Sequence, residues 1–276
     1  MSSTTNPKGM QHPTATKTAG GENRQDAQRR HRIEIILWII GIIIFIVACF
    51  FVSVHPRPYG VDLTVTHDVQ GANLPSWLLD ILNFPSVLND PIPSYIATGA
   101  WFVFMLVMAL VFKLRQKSPL QWLQSAVFFL VAIMASAGLN VLLDILIGRP
   151  RPNPRIYHMQ LHTALVPFPT FPSGHTEHDM VYYGFLLYLS LTKPVREWRY
   201  RWVLLPLQLY AVFDILSIGY SRIWEGDHWF TDVLGGYLEG AILLFFFIFL
   251  YRWVTQKLEE RREKKVERQV TQVQAR

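Results

Sequence analysis

The chain has 276 residues, of which 51% are hydrophobic and only 17% charged, with a formal net charge of +6. Soluble domains hold roughly 45–50% apolar and about 25% charged residues, so composition excludes an ordinary water-soluble domain and indicates an integral membrane protein. Nucleic acid is not the implied partner, because the Lys and Arg residues stand in short clusters beside apolar runs rather than along a face or a binding motif. The single cysteine, Cys49, lies in an apolar run and excludes an intramolecular disulfide.

In chain order, residues 1–26 are rich in Thr, Gly, Gln, Asn and Lys, a composition that predicts disorder. A helix needs about 20 mostly apolar residues to cross the hydrocarbon, and the first such run is 35–54. It is longer than the h-region of a signal peptide and has no small-x-small cleavage site after it, which predicts a retained helix. Leu74, Trp77, Leu78, Ile81 and Leu82 fall at helical spacing and predict a short interfacial helix. Further spans follow at 92–112, 126–147 and 231–251, with two weaker ones at 180–191 and 202–220. The weak span at 180–191 lengthens only by taking in residues 176–179, which are polar and suit a helix facing a bundle interior. Trp101, Trp202, Trp229 and Trp253 lie near span ends and are assigned to the interfacial belt. Asp214 and Glu239 lie within spans and are expected to pair inside the bundle.

The expected fold is all-α, an integral membrane bundle of six transmembrane helices. Its expected parts are a disordered cytoplasmic tail (1–33), the membrane domain (34–254) and a charged cytoplasmic tail (255–276) whose alternating Glu, Lys and Arg suit a solvated helix. Six spans put both termini on one side. Arg29, Arg30 and Arg32, then Lys113, Arg115 and Lys117, then Lys193, Arg196, Arg199 and Arg201, and finally Arg252, Lys257, Arg261, Arg262, Lys264 and Lys265 all mark that side as cytoplasmic. The protein is therefore expected in the cell membrane, with residues 55–91, 148–171 and 222–227 outside. Arg149, Arg151, Arg155 and Arg222 stand on the wrong side for a topology signal, and phosphate binding supplies another reason for them.

Two loops carry the chemistry: Pro172-Ser173-Gly174-His175, and Ser221-Arg222 followed by His228 and Asp232. Phosphoryl transfer needs positive charge and donors around the phosphate oxygens, an in-line nucleophile, and an acid for the departing oxygen. Arg151 and Arg222 offer forked donors. Ser173 and Gly174 offer a hydroxyl and backbone N–H groups, and a helix starting just afterwards directs its positive end to the same place. His228 and Asp232 are four apart and share a face if helical, so the aspartate can hold one ring nitrogen as N–H and leave the other free to attack. His175 is left as proton donor. This scheme requires no metal and no cofactor.

These residues carry a resemblance to the type 2 phosphatidic acid phosphatase superfamily, whose signature is K-x6-R-P, P-S-G-H and S-R-x5-H-x3-D. The second and third parts match in full, at Pro172 to His175 and at Ser221-Arg222, His228 and Asp232. In the first part Arg151-Pro152 supplies the R-P pair, and the lysine position is Asp144. The resemblance covers roughly residues 35–253. It implies a six-helix membrane hydrolase, a phosphohistidine intermediate on His228, and metal-independent hydrolysis of a lipid phosphate or diphosphate. Its partners are then a lipid phosphate substrate and membrane lipids, with no nucleic acid.

Plainer roles stand beside these. Asp232, Ser221 and Ser173 are also placed to cap helices. Arg149 and Arg155 are either headgroup anchors or replacements for the missing lysine charge, and Asp144 either pairs with an arginine or weakens the pocket. Glu177, His178 and Asp179 are either interfacial polar residues or neighbours of the site. Two other functions stay open: a protein that binds or moves lipid phosphates without turnover, left open by Asp144, and a vanadate-dependent haloperoxidase, a group with a similar phosphate pocket that is soluble.

Overall fold

A computed structural model describes residues 24–164 and 167–274. The predicted disorder of residues 1–26 falls almost wholly outside them. The chain divides into two compact units, Met1–Ile39 and Ile40–Arg276, and every residue of the site lies in the second.

The described residues form helices and connecting loops without strands. Helix α1 is Arg24–Val54, so helix begins within the segment assigned to the tail. Helices α2 (Gly60–Gly71) and α3 (Ser76–Asn89) follow, the latter on the Leu74–Leu82 pattern; α2 has no counterpart in the sequence reading. Next come α4 (Pro91–Leu114), α5 (Leu120–Ile147), the single turn α6 (Pro154–Tyr157), α7 (Gly174–Leu191), α8 (Leu205–Trp224) and α9 (Phe230–Gln274). The charged segment after residue 255 continues α9 as exposed helix, with Lys257 paired to Glu260 at 3.0 Å.

Among the described residues, five helices are long and apolar enough to cross a membrane: α1, α4, α5, α8 and α9. Their outward faces are apolar, with Ile46 60% and Leu216 71% exposed. That pattern would be unstable in water but suits lipid, where the helix satisfies its own backbone and apolar side chains meet acyl chains.

The weak span at 180–191 is α7, which lies in the middle of the helix packing, against α9, α8 and α5. Burial by protein on several sides explains why its apolar signal is short. It carries Glu177 and Asp179 buried among other helices, so neither is an interfacial residue. Helices α7 and α9 approach very closely where α9 has glycines. A Cβ on Gly236 would lie 2.4 Å from the Ser173 carbonyl oxygen, and one on Gly240 2.8 Å from the Glu177 carbonyl oxygen. Only the missing side chains let the two backbones meet, as small residues do at membrane helix interfaces.

Candidate active site

The site forms where the start of α7, the start of α9 and the loops after α5 and α8 come together. Helix α5 ends at Gly148, whose left-handed backbone (φ 63°) caps the helix through its N–H to the Asp144 carbonyl oxygen (2.9 Å) and turns the chain toward Arg149. The P-S-G-H loop is pinned from two sides. Ser173 N–H donates to the Asp232 carbonyl oxygen (3.0 Å), and Asn140 Nδ2 donates to the Pro172 carbonyl oxygen (3.3 Å) and to Glu239 Oε2 (2.9 Å). A Cβ on Gly174 would lie 2.8 Å from Asn140 Oδ1.

Helix α7 starts at Gly174, as the sequence led us to expect. Its first backbone bond from within runs from Glu177 N–H to the Ser173 carbonyl oxygen (3.0 Å), so the amides of Gly174, His175 and Thr176 have no intrahelical acceptor and mark the positive end of the helix. Ser173 is fully buried, its Oγ accepting from Thr176 Oγ1 (3.0 Å).

His228 precedes α9 instead of lying on it, so the shared helical face expected for His228 and Asp232 does not form. His228 Nδ1 is 4.0 Å from Asp232 Oδ2, too far for a hydrogen bond. Thr170 stands between them. Its carbonyl oxygen lies 2.9 Å from His228 Nδ1; its Oγ1 also lies 2.9 Å from that nitrogen and donates to Asp232 Oδ2 (2.9 Å). A carbonyl can only accept, and a hydroxyl whose proton goes to a carboxylate can only accept from the ring. Both contacts therefore fix the proton on Nδ1 and leave the lone pair on Nε2. Burial, then the charges of Arg151 and Arg222, pushes the His228 pKa well below 6.5, so the ring is neutral at pH 7.

Asp232 has a structural role as well. Its Oδ2 accepts Trp229 N–H (2.8 Å), capping the start of α9, and its Oδ1 pairs with Arg149 Nη1. Arg149 is fully buried and also pairs with Asp62 Oδ2 (2.7 Å) and Thr231 Oγ1 (2.7 Å). Asp62 in turn accepts from Thr231 N–H (2.8 Å) and Tyr59 N–H (2.9 Å), which ties α2 to the start of α9. The guanidinium of Arg149 is thus occupied by carboxylates. It is neither a headgroup anchor nor a free charge for the lost lysine.

Arg151, two residues on, is only partly buried. Its Nε donates to the Phe168 carbonyl oxygen (2.9 Å) and its Nη1 to the Asp227 carbonyl oxygen (3.1 Å), while Nη2 makes no hydrogen bond among the described residues. The charge of Asp144 acts on it. Arg222 is buried, with Nη1 on Asp227 Oδ2 (3.2 Å), Nη2 on Glu225 and Ser86, and Nε without a partner among the described residues. Arg222 is close enough to His175 for its charge to bear on the ring, His228 neighbours it, and the buried Nε2 of His175 has no partner among the described residues. Arg155 is exposed at α6, and its side chain makes no hydrogen bond among the described residues.

The structure therefore brings together His175, His228, Asp232, Arg151, Ser173, Gly174 and Arg222, with Asp144 at the edge, and leaves Arg155 outside. Thr170, Asn140 and Asp62 escaped the sequence reading. Thr170 stands two residues before P-S-G-H, near enough to have been considered, whereas Asp62 carries no local signal. Trp229 was assigned to the lipid belt and is instead 1% exposed, its indole N–H reaching the Pro150 carbonyl oxygen (3.3 Å).

The model of the PAP2 superfamily matches residues 125–258, a segment that runs from the first turns of α5 to the middle of α9 and holds both histidines. No curated protein matches the chain. A solved structure, the first transmembrane PAP2 type phosphatidylglycerolphosphate phosphatase from Bacillus subtilis, is similar at 19% identity and a TM-score of 0.59, covering 80% of this chain and 96% of that one. At this identity the likeness concerns the fold. Over residues 125–258, just under half of the chain, the sequence is similar to the PAP2 superfamily.

Proposed function

We propose that the protein is a multi-pass membrane phosphatase that hydrolyses a lipid phosphate through a phosphohistidine on His228, with its site at the outer membrane face. The observation that carries this reading is the double engagement of His228 Nδ1 by Thr170, which leaves Nε2 as a neutral nucleophile beside His175. The phosphate sits among Arg151, the Nε of Arg222 and the α7 amides, which supply donors and positive charge. The Nε2 lone pair forms the P–N bond as the P–O ester bond breaks, and His175 gives its proton to the departing alkoxide. The bound phosphate anion favours the protonated form of the neighbouring His175. Water then attacks phosphorus and gives its proton to His175, the P–N bond breaks, and inorganic phosphate leaves with His228 neutral again. A site flanked by spanning helices takes the headgroup while the acyl chains stay in lipid.

The test is phosphate release from a panel of lipid monophosphates and diphosphates in detergent with EDTA present. Wild type is expected to release phosphate and to yield an acid-labile phosphoprotein on quenching; His228→Ala should do neither. Equal turnover by the two proteins would exclude His228 as the nucleophile.

A further inference from the structure

The peptide linking Pro172 to Ser173, just ahead of α7, is trans and is held by both of its polar groups. Its N–H donates to the Asp232 carbonyl oxygen of α9 (3.0 Å), and its carbonyl oxygen accepts from Asn140 Nδ2 of α5 (3.3 Å). The two groups of a trans peptide point to opposite sides of the chain, so these bonds restrain its plane from opposite directions. Loss of either leaves the plane free to turn about the other. The next amides along the chain are those of Gly174, His175 and Thr176, at the positive end of α7, so this plane sets how they and the His175 ring are aimed.

Asn140 does not hold that carbonyl alone. Its Nδ2 carries two protons, and the second goes to Glu239 Oε2 (2.9 Å). The network fixes the orientation, because a flipped amide would set its oxygen against the Pro172 carbonyl oxygen. The Oδ1 edge then backs Gly174, where a Cβ would lie 2.8 Å from it. Glu239 is 1% exposed and stands seven residues beyond Asp232, about 10 Å farther along α9 and into the membrane. Asp232, Gly236 and Glu239 fall at i, i+4 and i+7 and form one stripe of α9. An ionisable side chain at that depth is costly to bury, and among the described residues its hydrogen bond is to Asn140.

We propose that Glu239 is a positioning residue of the phosphatase site, acting through Asn140 on the Pro172–Ser173 peptide and so on the α7 amides and His175. The proposal rests on the phosphatase reading, in which neither side chain touches the phosphate. The two act in series, so removing Glu239 costs nothing further once Asn140 is gone. A loop displaced by about 1 Å loses in-line geometry rather than affinity, because Arg151 and Arg222 stay in place.

The experiment uses the full-length protein in detergent. Phosphatidate, phosphatidylglycerol phosphate and farnesyl diphosphate are offered in turn, and kcat and KM are measured on the one that wild type turns over fastest. Asn140→Leu should lower kcat about 30-fold and Glu239→Leu about tenfold, each with KM within about threefold of wild type. The double variant should fall no further than Asn140→Leu, against the roughly 300-fold loss that independent effects would give. Glu239→Gln keeps an acceptor for Asn140 and should retain kcat within about threefold. Gln124 is the control for a merely structural loss. It lies on α5 about 24 Å from Asn140 toward the other end, and its Nε2 donates to the same helix α9, at the Tyr251 carbonyl oxygen (2.9 Å) and Thr255 Oγ1 (2.8 Å). Gln124→Leu should lower the melting temperature and leave kcat unchanged. Asn140→Ser, too short to reach Pro172, takes the place of the leucine variant in the same cycle if that one does not fold. Wild-type kcat in the Asn140 variant, losses that multiply in the double variant, or an equal fall in Gln124→Leu overturns the proposal while leaving the phosphatase intact. No phosphate release by wild type from any of the three lipids overturns both.

Discussion

Along α5, α7 and α9 the buried interior changes character from one end to the other. Below the site, Phe129 packs on Tyr182 with ring centroids 5.3 Å apart, Phe185 meets Tyr251 edge-on at 6.0 Å, and Phe247 and Val181 fill the space between. At the other end the same helices bury Asp62, Arg149, Asp232 and His228. The aromatic waist is held mainly by shape, with the Tyr251 hydroxyl 3.0 Å from Ser125 Oγ, and its purely apolar members tolerate changes of identity that keep volume. The polar end is held by pairing, and every member is needed because each leaves a partner behind. Two stretches of the same helices are thus stabilised by different physics, and the polar one also carries the candidate site.

The comparison can be broken most directly at Arg149. Arg149→Met strands Asp62 and Asp232 without their cation, and a loss of about 3–5 kcal/mol is expected, measured by thermal unfolding in detergent; a melting curve like wild type's would show that the pairs do not hold the end together. Phe185→Ala in the waist is expected to cost about 3 kcal/mol through its cavity, while kcat/KM of the protein that stays folded keeps its wild-type value. A matching fall in kcat/KM would mean that the two regions are not separable. Thr170→Val keeps the backbone carbonyl on His228 but removes the hydroxyl link to Asp232. We expect kcat to fall about 10- to 100-fold with little change in melting temperature, and Thr170→Ser to recover most of it; equal rates in the valine variant would remove Thr170 from the relay. The smallest effect is expected at Asp144. Its carboxylate opposes the charge of Arg151 from the last turn of α5, so Asp144→Asn should lower KM about threefold, whereas a higher KM would show that the acid positions the arginine.

Much of this was readable from residue order. Apolar runs marked α1, α4, α5 and α9, and the residues of P-S-G-H and S-R-x5-H-x3-D marked the loops that form the site. Arg149 and Arg151 show the limit. Both stand in the same Arg-Pro-Arg-Pro stretch and look equivalent, yet one is sealed between two carboxylates and the other keeps a free edge. Asp62 was invisible for the same reason, since its importance comes from partners at 149 and 231. Trp229 misled because a tryptophan at a span end has the same local signature whether it faces lipid or core.

By itself the sequence determined the solvent these helices suit, where most of them run, and which residues are fit for phosphate chemistry, because hydropathy and short motifs are local properties. Only the tertiary structure decided that Thr170 stands between His228 and Asp232, that Arg149 is paired with two carboxylates while Arg151 keeps one edge unpaired among the described residues, and that Asp179 faces a cavity. Those outcomes depend on which distant segments meet, and that is set by packing, down to the absent side chain of Gly236 that lets α9 touch the backbone of Ser173.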